Sequence, residues 1–307
     1  MNEQFCDVGR GITLCYEEFG DPTDTPMLLI MGLATQMIGW HEDFCKELAG
    51  RGFHVVRFDN RDIGRSTHLD SQRPPSNREL LRRRTPPGQY TLSDMAEDAR
   101  GLMRELGIEP AHVVGVSMGG MIGQMLAAEH PEAVRSLTSM LSTTGNRWRG
   151  RPALSVYKYL LRRPPATREE VVERAAQIFG VIGTKYEGAE QYIRERAGQS
   201  FDRGHDTSGA GRQLGAIIAS GDRTQKLGQI EVPTLVIHGT DDKMIKPSGG
   251  RATAAAIPGA ELMIIDGMGH DLARPFWPRL IEAISEHARA ADDEGAEAGE
   301  LEPTEVV

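Results

Sequence analysis

The chain has 307 residues, 39% hydrophobic and 26% charged, with a formal net charge of −9. That composition fits one large soluble domain or two small ones. It has no run near eighteen consecutive apolar residues, which excludes a membrane-spanning helix, and the residues after Met1 lack the basic-then-apolar order of a secretory signal. Cys6, Cys15 and Cys45 have no metal-binding spacing, and an odd count of cysteines in apolar stretches suits reduced core thiols in a cytoplasmic protein. From Ala291 to Val307 there are seven acids and no base, so most of the net charge sits there. This tail, 291–307, is expected to be disordered. The near-neutral remainder speaks against a nucleic-acid partner.

In chain order, residues 4–8 and 12–19 flank Gly9-Arg10-Gly11 and predict an N-terminal hairpin. Buried-type strands are expected at 27–31, 53–58, 113–116, 134–141, 234–237 and 261–265, each an apolar run suited to burial on both faces. Between them, helical patterns cover 40–49, 92–106, 118–129 and 276–290. Strands alternating with helices predict an α/β architecture, a mostly parallel central sheet flanked by helices. The alternation breaks after about residue 143. Prolines 152, 164 and 165 punctuate the next stretch, and helical patterns follow at 168–179 and 189–197. The expected organisation is therefore a core of residues 1–142 and 229–290, with a helical cap at 143–228 over the carboxyl edge of the sheet. A second irregular segment, 71–89, carries four prolines and five arginines. Its arginines read as a solvated loop, with attraction of anionic substrates or lipid headgroups the less favoured role.

Gly115-Val116-Ser117-Met118-Gly119 has the form G-x-S-x-G, a sharp strand-to-helix turn that lifts a serine above a sheet. Context supports it, because a buried-type strand precedes Ser117 and a helical pattern follows. A serine hydroxyl needs a base. Of nine histidines, His270 lies in Gly267-Met268-Gly269-His270, a glycine-rich loop directly after the last strand and so at the edge that carries Ser117. His54, His112, His130, His238 and His287 fall within or at the ends of regular elements and read as structural; His41, His68 and His205 have no matching context. The imidazole in turn needs a carboxylate. Asp241 and Asp242 both follow the strand at 234–237; Asp242 is the favoured partner, Asp241 the alternative. For the oxyanion, the donors expected are the N–H groups of Met118, after the serine, and of Leu33, after the strand at 27–31. Gly32 would let that loop approach the serine. Met31, Met37, Trp40 and Met268, with Gly32, are the expected substrate-pocket residues; packing in the core is the competing reading. The run Asp59-Asn60-Arg61-Asp62 reads as a bracing loop rather than a metal site. No metal or other cofactor is expected.

The order of these motifs resembles the α/β-hydrolase superfamily along nearly the whole chain. It comprises Met31-Gly32, Gly39-Trp40, Asp59-Asn60-Arg61-Asp62-Ile63-Gly64-Arg65-Ser66, Gly-x-Ser-Met-Gly, His238-Gly239-Thr240-Asp241-Asp242 and Gly-Met-Gly-His270. More narrowly, Leu28 to Gly32, Gly39-Trp40 and the Asp59 to Ser66 run are similar to the aclacinomycin methylesterases and related actinobacterial esterases. The resemblance implies Asp242 as the acid, Gly239 as the glycine of G-x-x-D, and Leu33 and Met118 as oxyanion donors. Two departures stand out: Met31-Gly32 replaces a common His-Gly, and the 71–89 segment is longer. The cap also differs enough that the polyketide methyl ester is not carried over. Since the elbow residue is a serine and not an aspartate, acyl transfer is expected, not dehalogenation or epoxide opening. The function expected is a carboxylic-ester hydrolase with an acyl-serine intermediate, acting on a small-molecule ester with an apolar acyl or alkyl group. A thioesterase, lactonase, amidase or perhydrolase on the same residues, and a non-catalytic binding protein of this fold, are the alternatives.

Overall fold

The structure, a computed structural model, describes residues 2–160 and 165–300. One sheet holds β1 (Gln4–Asp7), β2 (Thr13–Phe19), β3 (Thr25–Ile30), β4 (Phe53–Phe58), β5 (Ala111–Val116), β6 (Val134–Met140), β7 (Thr234–Gly239) and β8 (Glu261–Ile265). Its spatial order is β1-β2-β4-β3-β5-β6-β7-β8. β2 is antiparallel to β1 and β4, and every later pairing is parallel. The helices are α1 (Glu42–Ala49), α2 (Asn77–Leu81), α3 (Leu92–Glu105), α4 (Met118–Glu129), α5 (Leu154–Leu160), α6 (Arg168–Ile182), α7 (Ala189–Arg203), α8 (Gly209–Ser220), α9 (Thr224–Leu227), α10 (Ser248–Ala256) and α11 (Trp277–Glu300). The expected mostly parallel sheet flanked by helices is the architecture observed.

Strand alternation divides the core in two. Leu28, Ile30, Val56, Phe58 and Val113 point to the face covered by α3 and α4. Met27, Leu29, Phe53, Val55 and Val114 point to the other, where Phe44 and Leu48 of α1 and Leu280 and Ile284 of α11 close the layer. β4, β5 and β7 are buried at every residue, which is why they read as unbroken apolar runs. One charge pair lies inside the sheet. Register sets Glu17 on β2 opposite Arg57 on β4, and the two buried side chains pair, with Arg57 also donating to the Trp40 carbonyl. Removing one member strands the other away from water. Glu17→Ala is therefore expected to lower stability by about 3–5 kcal/mol in denaturant titration, whereas a matched apolar replacement of both residues costs far less.

Helix α11 runs through residues 291–300, so the described part of the expected disordered tail is helical. Ala288 and Ala291 continue its buried stripe, and Asp292 pairs with Arg135 at 3.0 Å and lies 3.4 Å from His112. Residues 301–307 lie outside the described residues. The expected first helix starts two residues late, at Glu42, because His41 caps it by accepting from the Asp43 N–H at 3.1 Å. Helices α6 and α7 run past their expected ends, to Ile182 and Arg203. Between β6 and β7 the described residues form helices only. Ala216 of α8 and Leu227 of α9 join the core cluster on the α3–α4 face. The 71–89 segment carries the short helix α2, capped reciprocally by Ser76 and Glu79. Of the cysteines, burial pushes the Cys15 and Cys45 thiols up to about 12, and Cys6 is half-buried. No helix among the described residues is long and apolar enough to cross a membrane.

Candidate active site

Ser117 links β5 to α4 with φ 56° and ψ −116°, a conformation that costs a non-glycine residue about 1–3 kcal/mol. The neighbours hold it there. Its N–H donates to the Met140 carbonyl at 2.8 Å, and its carbonyl accepts from the Ser142 hydroxyl at 2.9 Å. The turn closes tightly enough that a Cβ on Gly119 would lie 2.0 Å from the Ile30 carbonyl oxygen, and one on Gly115 2.3 Å from that of Gly119. Both glycines of G-x-S-x-G are thus steric necessities.

The structure brings His270 and Asp242 to this serine. His270 Nε2 lies 3.1 Å from Ser117 Oγ, and His270 Nδ1 lies 2.7 Å from Asp242 Oδ2. Asp242 is 2% exposed, and its Oδ1 accepts from the N–H groups of Met244 and Ile245 at 2.9 and 2.8 Å. Burial alone would raise this carboxyl, but His270 and His238 outweigh it and hold it at about 2. Asp241 is exposed, and its carboxylate accepts from the Thr240 hydroxyl at 3.5 Å rather than from His270. His238, read from sequence as structural, is in fact part of this cluster. Its Nε2 donates to the Ile245 carbonyl at 2.7 Å and lies 3.3 Å from Asp242 Oδ2.

Met118 opens α4, so its N–H has no carbonyl one turn earlier to receive it. Leu33 follows β3, and a Cβ on Gly32 would sit 3.2 Å from Ser117 Cβ, so this loop does press against the elbow. Asn60 Nδ2 donates to the Met31 carbonyl at 3.0 Å, and Gln213 Oε1 of α8 accepts from the Ala34 N–H at 2.9 Å, bracing the loop at both ends. Of the five expected pocket residues, Gly32 lies against the serine. Met37, Trp40 and Met268 have no exposed surface and Met31 is 5% exposed. Met31, Trp40 and Met268 pack in the α1–α11 core and Met37 against Cys15 and Ile38. Asp59 braces as expected, accepting from the N–H groups of Met37 and Arg65 at 2.7 and 2.9 Å. His68, Asp70 and Asp206 come close enough together to hold a cation, but the Arg212 guanidinium already bonds both aspartates, at 3.4 and 3.1 Å.

Sequence reasoning missed Thr184 and Asp271. The loop carrying His270 is tied to the end of α6. The His270 N–H donates to the Ile182 carbonyl at 2.7 Å. The Thr184 hydroxyl accepts from the Gly269 N–H at 2.9 Å and donates to Asp271 at 2.6 Å, and the Thr184 N–H reaches both Asp271 oxygens at 3.1 Å. Burial pushes the Asp271 carboxyl up, and the Thr184 donors only partly offset it. Thr184→Val removes two of these bonds and leaves a buried N–H unpaired. The expected result is a fall in kcat of about tenfold or more with KM held, and recovery in Thr184→Ser; steady-state kinetics of the three proteins checks it.

Comparison with known proteins agrees with this architecture. A family model described as the alpha/beta hydrolase fold matches residues 25–273. Rhodomycin D methylesterase DauP of Streptomyces sp. (strain C5) is 30% identical over 302 aligned positions, covering 91% of this chain and 96% of that protein. Among solved structures, the enol-lactonase of Burkholderia xenovorans LB400 is similar with TM-score 0.72 at 24% identity, covering 92% of this chain and 99% of that one. Esterase RhEst1 of Rhodococcus sp. ECU1013 is similar with TM-score 0.74 at 20% identity, covering 95% and 100%. With its elbow, its sheet order and the family match over residues 25–273, the chain belongs to the α/β-hydrolase fold family, among its esterase-type members.

Proposed function

We propose that the protein is a carboxylic-ester hydrolase that works through an acyl-serine intermediate. The observation that carries this reading is the unbroken relay Ser117 Oγ, His270 Nε2, His270 Nδ1, Asp242 Oδ2, with steps of 3.1 and 2.7 Å. Ser117 Oγ attacks the ester carbonyl as His270 Nε2 takes its proton. The negative charge that builds on the carbonyl oxygen meets the N–H groups of Leu33 and Met118, each such donor contributing about 2.7–4 kcal/mol. Asp242 keeps the Nδ1 proton in place and stabilises the imidazolium. His270 then hands its proton to the departing alkoxide. Water, deprotonated by the same nitrogen, releases the acid and restores the serine.

The similarity to a methylesterase supports an ester as substrate, and the proposal stops at small-molecule esters with an apolar acyl or alkyl group. We assign the role of cap to 143–228, whose α6 end accepts a hydrogen bond from the His270 N–H. The test is hydrolysis of a p-nitrophenyl series from acetate to palmitate, alongside thioester, lactone and amide probes and a fluorophosphonate that labels activated serines. Ester turnover with single labelling at Ser117 is expected. Failure to turn over any ester, with Ser117 unlabelled, overturns the reading in favour of a binding protein.

A further inference from the structure

Between Glu132 and Glu169 the chain has no acidic residue and eight basic ones, in a protein whose net charge is −9. Four of the bases, Arg147, Arg149, Arg151 and Lys158, make no ion pair with a carboxylate among the described residues. The same stretch exposes large apolar side chains: Trp148 is 64% exposed, Leu154 90% and Tyr157 41%. Arg147 and Arg151 lie over the Trp148 ring at 4.6 and 4.4 Å, so the charges and the indole form one surface. Leu154 and Tyr157, three residues apart on α5, share a face, while Val156 and Tyr159 of the same helix are buried.

This surface is fixed to the body beside the proposed site. The Gly150 N–H donates to the Ser248 hydroxyl at 3.0 Å, and the Ala153 N–H to the carbonyl of Lys243, the residue after Asp242, at 2.8 Å. Indole and phenol rings beside unpaired bases suit the headgroup level of a bilayer, and anionic lipids attract the bases. A nearly fully exposed leucine gains nothing from a nucleic-acid backbone but is buried by acyl chains. Pairing of this patch with the same patch of a second copy would set like charges against each other.

We propose that segment 147–158 is a docking surface for the anionic face of a lipid bilayer, which seats the protein peripherally with Trp148 and Leu154 at the headgroup boundary. The test is flotation of the full chain with vesicles of phosphatidylcholine alone or mixed with phosphatidylglycerol, together with tryptophan emission. Binding is expected to the mixed vesicles only, to weaken with salt, and to carry a blue shift that Trp148→Phe removes. Replacing Arg147, Arg149 and Arg151 by glutamine should weaken partitioning about 100-fold, with an unchanged melting curve showing that the variant folds. Equal binding of wild type and the triple variant overturns the proposal. So does binding without a shift from Trp148, which would mark a charged surface that does not enter the interface. Binding to DNA with none to vesicles overturns it as well, in favour of a polyanion site.

Discussion

Ser117→Ala is expected to reduce kcat on any accepted ester by about 10⁴–10⁶, or about 5–8 kcal/mol of transition-state stabilisation, with the fold intact. The alanine keeps the Cβ that the elbow already accommodates, and the hydrogen bonds that hold the turn use the backbone of residue 117, not its side chain. What disappears is the oxygen 3.1 Å from His270 Nε2. The residual rate reports how much the proposed Leu33 and Met118 donors and substrate binding supply alone. A companion variant separates chemistry from strain. Ser117→Gly also lacks the nucleophile but accepts φ 56° without penalty, so denaturant titration should find it more stable than Ser117→Ala by about 1 kcal/mol. Both dead, with glycine the more stable, is the expected pair of results; a Ser117→Ala protein with near-normal turnover would remove the serine from the chemistry.

Asp242→Asn should cost about 10⁴ in kcat at neutral pH, and the reason lies in which oxygen is already spoken for. The N–H groups of Met244 and Ile245 hold Oδ1, so an asparagine must keep its carbonyl there and turn its NH₂ toward His270. That NH₂ donates to Nδ1, forces the ring proton onto Nε2, and leaves no lone pair to receive the proton of Ser117. It also confronts the Nε2–H of His238, already committed to Ile245. Asp241→Asn, one residue away and exposed, should stay within about twofold of wild type. The same carboxyl leaves a mark on stability. Its value falls from 3.8 to about 2 on folding, so its contribution is complete above 3.8 and is lost as pH drops through about 2. Thermal melts of wild type should show that loss between pH 4 and 2, and Asp242→Asn should lack it.

What could be read from sequence divides along a physical line. The sheet strands were legible because burial on both faces demands unbroken apolar runs, as at Val113 to Val116, and the elbow because G-x-S-x-G records a steric requirement at adjacent positions. Ser117, Asp242 and His270 could be matched by chain order, since strand ends converge on one edge. Thr184 and Asp271 could not, because they are 87 residues apart and neither carries a motif. His238 looked structural because a strand-end histidine usually is, and only the fold of the turn at 239–245 brings Asp242 back under it. Met37 and Trp40 stayed open between pocket and core for a related reason: apolar residues near a site in sequence look the same whether they face a substrate or the core, and both are buried. The acidic 291–300 stretch was misread by charge alone, where two buried alanines on one helical stripe carry α11 onward.

The bonds between the end of α6 and residues 269–271 bear on how such a chain can be recombined. A segment that holds the base cannot be exchanged freely as a module for substrate choice. A chimera taking residues 143–228 from a relative would, unless it kept a hydroxyl at 184 facing Asp271, displace the loop that carries His270. Changes of specificity in this protein are therefore expected to come from point substitutions within the existing helices more readily than from wholesale replacement of the insert.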